Sequence, residues 1–237
     1  MVSPRLDQFD VVAFDADDTL WRSEDSFTHA ENRFVELVSP HAPVGVDVAA
    51  ALKAVERDDL SVTGYGVKAF TLSMVRAAIE VTGERIPSSV VGQLAALGRS
   101  MLLEEVHLLP NVREVLEVVS ANVHTVMITK GDLVHQTRKV TNSGIDHHFS
   151  HIEIVLEKDP ATYAEIVDRL GVAPQRFLMI GNSVRSDVLP VLAIGGQAIH
   201  VPYHLTWEHE LVDDHDEEFV ELASIADVPI WLGLAEM

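Results

Sequence analysis

Five short apolar runs limit most strongly what this chain can fold into. They lie at Asp10–Phe14, His124–Thr129, Ile152–Val155, Arg176–Ile180 and Gln197–Val201. Their interiors are mostly apolar rather than alternating, as in strands covered on both faces. Helical patterns separate the later runs. One begins near Asn111 and sets Val112, Val115, Leu116 and Val119 on one face. Another runs from about Ala161 to Leu170 and should stop at Gly171. This order predicts an α/β fold: a Rossmann-like three-layer core around a parallel sheet of about five strands.

The spacing is uneven. On the order of a hundred residues separate the first run from the second, too many for one crossover or a structureless loop. That stretch has helical spacing, as in "AAALKAVE" (Ala49–Glu56) and "FTLSMVRAAIE" (Phe70–Glu80), and no convincing strand. The expected organisation is a catalytic core of residues 1–21 and 106–237 with an all-α cap domain, 22–105, inserted after the first strand.

Composition narrows the function classes. The formal net charge of −20 disfavours nucleic acid and anionic lipid as partners. The absence of cysteine excludes disulfides and thiolate metal sites. No apolar run reaches the roughly 18 residues of a membrane span, and the N-terminus lacks the apolar core of a secretory signal. A cytoplasmic location is the expectation. The acidic run Asp213–Glu218 reads as a solvated face. His147–His151 lacks the spacing of zinc ligands and reads as a loop before the third strand. The histidine-rich His200–Glu210 reads as a segment covering the core.

In an open parallel sheet, functional groups gather beyond the C-terminal ends of the strands. "DADDT", Asp15–Thr19, follows the first run. Carboxylates at i and i+2 on extended backbone share a face, about 6–7 Å apart. They repel and raise each other's pKa, and a divalent cation with hard oxygen ligands relieves that. The alternative is a helix-cap cluster. "ITKGD", Ile128–Asp132, offers a hydroxyl and backbone N–H groups for an anion, unless Thr129 only caps the next helix. "LEKDP", Leu156–Pro160, supplies Lys158 as a point charge, or merely a surface lysine. "GNSVRSD", Gly181–Asp187, supplies Asn182 and Asp187 oxygens, or a turn and a cap. Four independent caps explain this coincidence poorly.

Together these motifs resemble the haloacid dehalogenase-like hydrolase superfamily, in family order. "DADDT" matches its D-x-D-x-T motif, Thr129 its second, Lys158 its third, and "GNSVRSD" its fourth, usually G-D-x(3–4)-D. The helical insertion resembles the family's cap. The resemblance implies that Asp15 is the nucleophile, forming an aspartyl-phosphate. Asp17 is then the general acid and base. Thr129 and the Lys130 N–H hold phosphoryl oxygens, and Lys158 offsets transition-state charge. Mg²⁺ binds the Asp15 carboxylate, the Asp17 carbonyl and a fourth-motif side chain, Asn182 or Asp187. Two departures stand out. Asn182 replaces an acid, removing one negative charge from the metal site. Lys158 is separated from Pro160 by Asp159, where many relatives place the lysine directly before proline.

The expected activity is a Mg²⁺-dependent phosphatase acting on a small phosphorylated metabolite, by a monomer or homodimer. Dehalogenases of the family generally lack a carboxylate two residues after the nucleophile, and Asp17 is present. A 2-haloacid dehalogenase, a phosphomutase and a non-catalytic phosphate-binding protein are the alternatives. In the cap, Tyr65 and Lys68 of "SVTGYGVK" are candidate substrate contacts, as is Arg185 beside the fourth motif. Trp21 is expected to line the pocket or pack beneath the cap. Asp18 has no assigned chemistry and is expected to cap or shape the turn.

Overall fold

The computed structural model describes residues 6–212 and 217–234. Six parallel strands form one sheet in the order β3-β2-β1-β4-β5-β6. They are β1 (Val11–Phe14), β2 (His124–Lys130), β3 (His151–Val155), β4 (Phe177–Gly181), β5 (Gln197–His200) and β6 (Val220–Glu221). The first five lie where the apolar runs predict. The sixth has two residues, one of them exposed, and so carries no apolar run. Asp213 to Asp216 of the acidic run lie outside the described residues, and Glu217 and Glu218 are exposed.

Strand periodicity explains why the apolar runs are continuous. Val12 and Phe14 of β1, with Leu178 and Ile180 of β4, pack into one core that includes Val115, Leu116 and Val119 of α5 (Val112–Ser120). The intervening Val11, Ala13, Phe177 and Met179 pack into a second core with Tyr163, Ile166 and Val167 of α7 (Pro160–Leu170). Successive side chains point to opposite faces, and helices cover both, so every position is apolar. α7 begins at the proline, which suits the first helical position. Asp159 caps it by accepting from the Thr162 N–H at 2.7 Å. It ends at Gly171, in the left-handed region at φ 67°.

The chain divides into two compact units. One comprises residues 1–24, 106–130 and 136–237; the other comprises 25–105 and 131–135. The second has its own core of Phe34, Leu52, Phe70, Met74 and Leu94. These come from α1 (Glu24–Val38), α2 (Val48–Thr63), α3 (Val67–Val81) and α4 (Ser88–Leu103). The remaining helices are α6 (Leu133–Ser143), α8 (Leu189–Ala193) and α9 (Val228–Trp231). No helix of the described residues is long and apolar enough to cross a membrane.

Candidate active site

β1 lies between β2 and β4, and β3 flanks β2. The segments leaving these four strands therefore meet at one edge. Asp15 continues the ladder one residue past β1, its N–H donating to the Ile180 carbonyl at 2.9 Å. The residue is 6% exposed. Asp15 Oδ1 accepts from Lys158 Nζ, and Oδ2 accepts from Thr19 Oγ1 at 3.0 Å. Lys158 Nζ also donates to Asp187 Oδ1 at 2.7 Å. One ammonium thus faces two buried carboxylates. Burial raises the Asp15 pKa; Lys158 opposes this, the Asp187 charge adds to it, and the outcome is about 7. The attraction is mutual, and the two carboxylates hold Lys158 protonated, well above its ordinary range despite its burial. The cluster is one positive charge short.

Asp187, a candidate metal ligand, turns towards Lys158. Its Oδ1 accepts from Lys158 Nζ at 2.7 Å and its Oδ2 from the Ser183 N–H at 3.0 Å. Its buried side chain anchors Lys158, and each oxygen keeps one lone pair beyond these bonds. Gly181 makes room for it: a Cβ there would lie 2.2 Å from Asp187 Oδ2. The glycine serves this close approach, whereas the sequence suggests a tight turn. Asp187 sits in a π-helical segment, Val184–Val188, a form frequent at functional sites. Gly181→Ala should displace Asp187 and loosen Lys158. A loss of about 1–3 kcal/mol in stability is expected from the overpacking, read from the denaturation midpoint, together with lower activity.

The oxygens that converge instead are Asp15 Oδ2, the Asp17 carbonyl and the Asn182 amide. With its nitrogen inward, the Asn182 amide donates to Asp15 Oδ2 at 3.3 Å, Thr19 Oγ1 at 3.2 Å and the Asp17 carbonyl at 3.1 Å. With its oxygen inward, the same atoms form a compact set of hard oxygen donors. Among the described residues no three His, Asp or Glu side chains gather to hold a metal. A site with one carboxylate, one carbonyl and one amide oxygen still fits Mg²⁺, which keeps several waters and needs few protein ligands. The missing positive charge at Asp15 fits a cation too.

Asp17 faces a different set of partners. Its Oδ1 accepts from Trp21 Nε1 at 2.5 Å and from Lys139 Nζ. Its Oδ2 accepts from Gln136 Nε2 at 2.9 Å. Burial alone would raise its pKa, but the Lys139 charge and the three donors more than offset that and hold it below the ordinary range. The structure therefore holds Asp17 as an anion. That suits a base; acting as an acid requires a donor to release it. Trp21 is fully buried and bonded to Asp17 rather than lining a pocket.

Asp18 shapes the turn. It lies at φ 63°, and its carboxylate accepts from the N–H groups of Ser23 at 2.8 Å and Glu24 at 3.1 Å. Burial, and then the Asp17 charge, push its pKa up from 3.8 to about 6. Its protonation on folding stabilises the fold fully below about pH 4, and this contribution is lost as pH rises through about 6. Asp18→Asn keeps an acceptor and tolerates the left-handed region. It should leave the midpoint near that of wild type and flatten the dependence between pH 4 and 6. Asp18→Val should cost about 2 kcal/mol or more, losing the cap and straining a β-branched residue. Urea denaturation across this pH range checks both.

Thr129 is 1% exposed, and its Oγ1 accepts from Gln136 Nε2 at 2.7 Å. It does not cap α6; Asp132 does, accepting from the His135 N–H at 2.9 Å. The Lys130 side chain reaches Glu210 at 2.5 Å, Ser186 Oγ at 3.0 Å and Glu157 at 3.3 Å. Arg185 is exposed and makes no hydrogen bond to these residues. In the helical unit, Tyr65 lies between Gly64 and Gly66, both at positive φ, and Lys68 pairs with Asp132 at 2.9 Å. A second anionic group would have to compete with Asp132 for Lys68.

Three site residues escaped the sequence reading. Gln136 and Lys139 stand three apart on α6, one turn beyond the second motif, and that spacing could have singled them out. Glu210 accepts from Lys130, Ser183 and Ser186; nothing in its histidine-rich segment marked it.

A family model described as haloacid dehalogenase-like hydrolase matches residues 9–195. The chain is similar to a solved haloacid dehalogenase-like family hydrolase of Xanthomonas campestris: 41% identity, TM-score 0.86, covering 96% of this chain and 92% of that one. It is 32% identical over 97 residues to the glyceraldehyde 3-phosphate phosphatase of Methanothermobacter thermautotrophicus. That match spans 39% of this chain and only 42% of the relative's length. The fold is also that of the Bacillus subtilis HAD-hydrolase YfnB, solved bound to magnesium, at 14% identity and TM-score 0.66, over 95% of this chain and 99% of that one. The match over residues 9–195 and the motifs at the four strand ends lead to one conclusion: the chain belongs to the haloacid dehalogenase-like hydrolases.

Proposed function

We propose that this hydrolase is a Mg²⁺-dependent phosphatase of a small phosphorylated metabolite. The observation that carries the reading is the pair of carboxylates with opposite treatment: Asp15 between Lys158 and Thr19, and Asp17 among Trp21, Gln136 and Lys139. Asp15 attacks phosphorus through its carboxylate, the P–O bond to the leaving alcohol breaks, and Asp17, released by one of its donors and carrying a proton taken up from water, gives that oxygen the proton. Asp17 then takes a proton from water as the water oxygen attacks the phosphorus of the aspartyl-phosphate, releasing phosphate and restoring Asp15. Lys158 stays charged throughout and offsets the phosphoryl charge. Thr129 and the Lys130 N–H hold phosphoryl oxygens. Mg²⁺, held by Asp15, the Asp17 carbonyl and Asn182, would supply the charge that lets an anionic ester approach a carboxylate. The net charge of −20 argues against nucleic-acid and anionic-membrane partners; the enzyme we propose is cytoplasmic and a monomer or homodimer.

The test is Mg²⁺-dependent phosphate release across sugar phosphates, nucleotides and phospho-acids, beginning with glyceraldehyde 3-phosphate because of the partial similarity to its phosphatase. No release from any ester, or chloride release from 2-chloropropionate without Mg²⁺, would overturn the proposal.

A further inference from the structure

Gln136 is 3% exposed, and its single amide nitrogen faces three acceptors. They are Asp17 Oδ2 at 2.9 Å, Thr129 Oγ1 at 2.7 Å and the Lys130 carbonyl at 3.0 Å. All three belong to residues of the candidate site. Its Oε1 is buried and has no hydrogen-bond partner. Leaving a buried acceptor unmet destabilises a fold, and such groups call for an explanation. Turning the amide over would aim its oxygen at the Asp17 carboxylate and the Lys130 carbonyl, which both repel it. The amide's direction is therefore set by the site and not by its own complete satisfaction.

The consequence falls on Thr129. A hydroxyl has one hydrogen to give and lone pairs that accept. Gln136 occupies a lone pair, and among the described residues the Thr129 hydroxyl hydrogen has no acceptor. That hydrogen is kept for an incoming oxyanion. An acceptor at position 136 would turn it away. Lys139 holds the other oxygen of Asp17 independently, so changing Gln136 leaves Asp17 still held.

We infer that Gln136 is a positioning residue that makes Thr129 a donor to the bound phosphoryl group. The inference rests on the phosphatase reading. It is tested by titrating inorganic phosphate into the full chain with Mg²⁺ by calorimetry, for wild type, Gln136→Met, Gln136→Glu, Thr129→Val and the double variant Gln136→Met/Thr129→Val. About tenfold weaker phosphate binding is expected for Gln136→Met, and at least as much for Gln136→Glu, which presents acceptors to the hydroxyl. Thr129→Val should lose a similar factor. The double variant should lose no more than Thr129→Val alone, because Gln136 acts through that hydroxyl. Gln136→Met is nearly isosteric and keeps the cycle usable if Gln136→Glu fails to fold. Wild-type affinity in Gln136→Met, or losses that multiply in the double variant, would overturn the inference while leaving the phosphatase reading intact. Wild type that neither binds phosphate nor releases it from any ester would overturn both.

Discussion

Asp15→Asn should abolish Mg²⁺-dependent phosphate release, by about 10⁴-fold or more, because an amide cannot form the acyl-phosphate bond. The loss should come with an intact fold. Asn at this position still accepts from Lys158 through its oxygen, its NH2 can donate to the Thr19 hydroxyl, and it removes a buried carboxyl that burial has pushed up to about 7. The signs can be worked through. The Asp15 carboxyl titrates near 3.8 when unfolded and near 7 when folded, so protonation favours the native state between those values. This contribution to stability is complete below about pH 4 and is lost as pH rises through about 7. The variant should lose that dependence. Urea denaturation with EDTA present, from pH 4 to 8, should give a shallower slope for Asp15→Asn than for wild type. Retained turnover in the variant would remove Asp15 as nucleophile. An unchanged slope would remove the buried-charge account of the cluster.

Lys158→Met should be the more damaging change to the fold. Lys158 Nζ sits between Asp15 and Asp187, with its side chain 2% exposed. Removing the ammonium leaves two buried carboxylates facing each other, and breaking a buried pair on one side costs about 3–5 kcal/mol. Turnover should fall by about 10²–10³-fold or more, as when a donor to developing charge is removed. The double variant Lys158→Met/Asp187→Asn separates the two effects. It takes away one stranded charge and should recover much of the stability, while turnover stays lost. The midpoint of chemical denaturation and the rate of phosphate release read these independently. Full recovery of turnover in the double variant would mean that Lys158 matters only to folding.

The fold was legible because the central strands β1 and β4 are buried on both faces, which leaves an unmistakable run such as Val11–Phe14. β6 was not, because a two-residue strand at an edge needs no apolar pattern. The candidate site was legible where polar groups follow apolar runs. Asp15, Asp17, Thr129 and Lys158 could each be placed at the C-terminal end of a particular strand. What the sequence could not show is how these groups partition. Asn182 and Asp187 are five residues apart and seem equivalent on paper as oxygen donors. In three dimensions Asp187 is drawn under Gly181 to hold Lys158, and Asn182 alone reaches Asp15 and the Asp17 carbonyl. Spacing could pair Gln136 with Lys139 on one helix face, but not name Asp17 as their partner, up to 122 residues away in the chain; Glu210 carries no local signal at all.

The middle position of β1 has a further consequence. Its four residues are buried, and it is bonded to a parallel neighbour on each side. Amides so placed open to solvent only when the whole domain unfolds. Asp15 hangs one residue beyond that frame, while Asp17 and Asp18 sit in the turn that follows. That turn is itself buried from Asp18 to Trp21, and the Asp18 N–H donates to the Trp21 carbonyl at 2.7 Å. Hydrogen exchange should therefore find the amides of β1 and those of Asp18 to Trp21 slow together, so that the two carboxylates proposed to react stand on backbone that opens only with the domain.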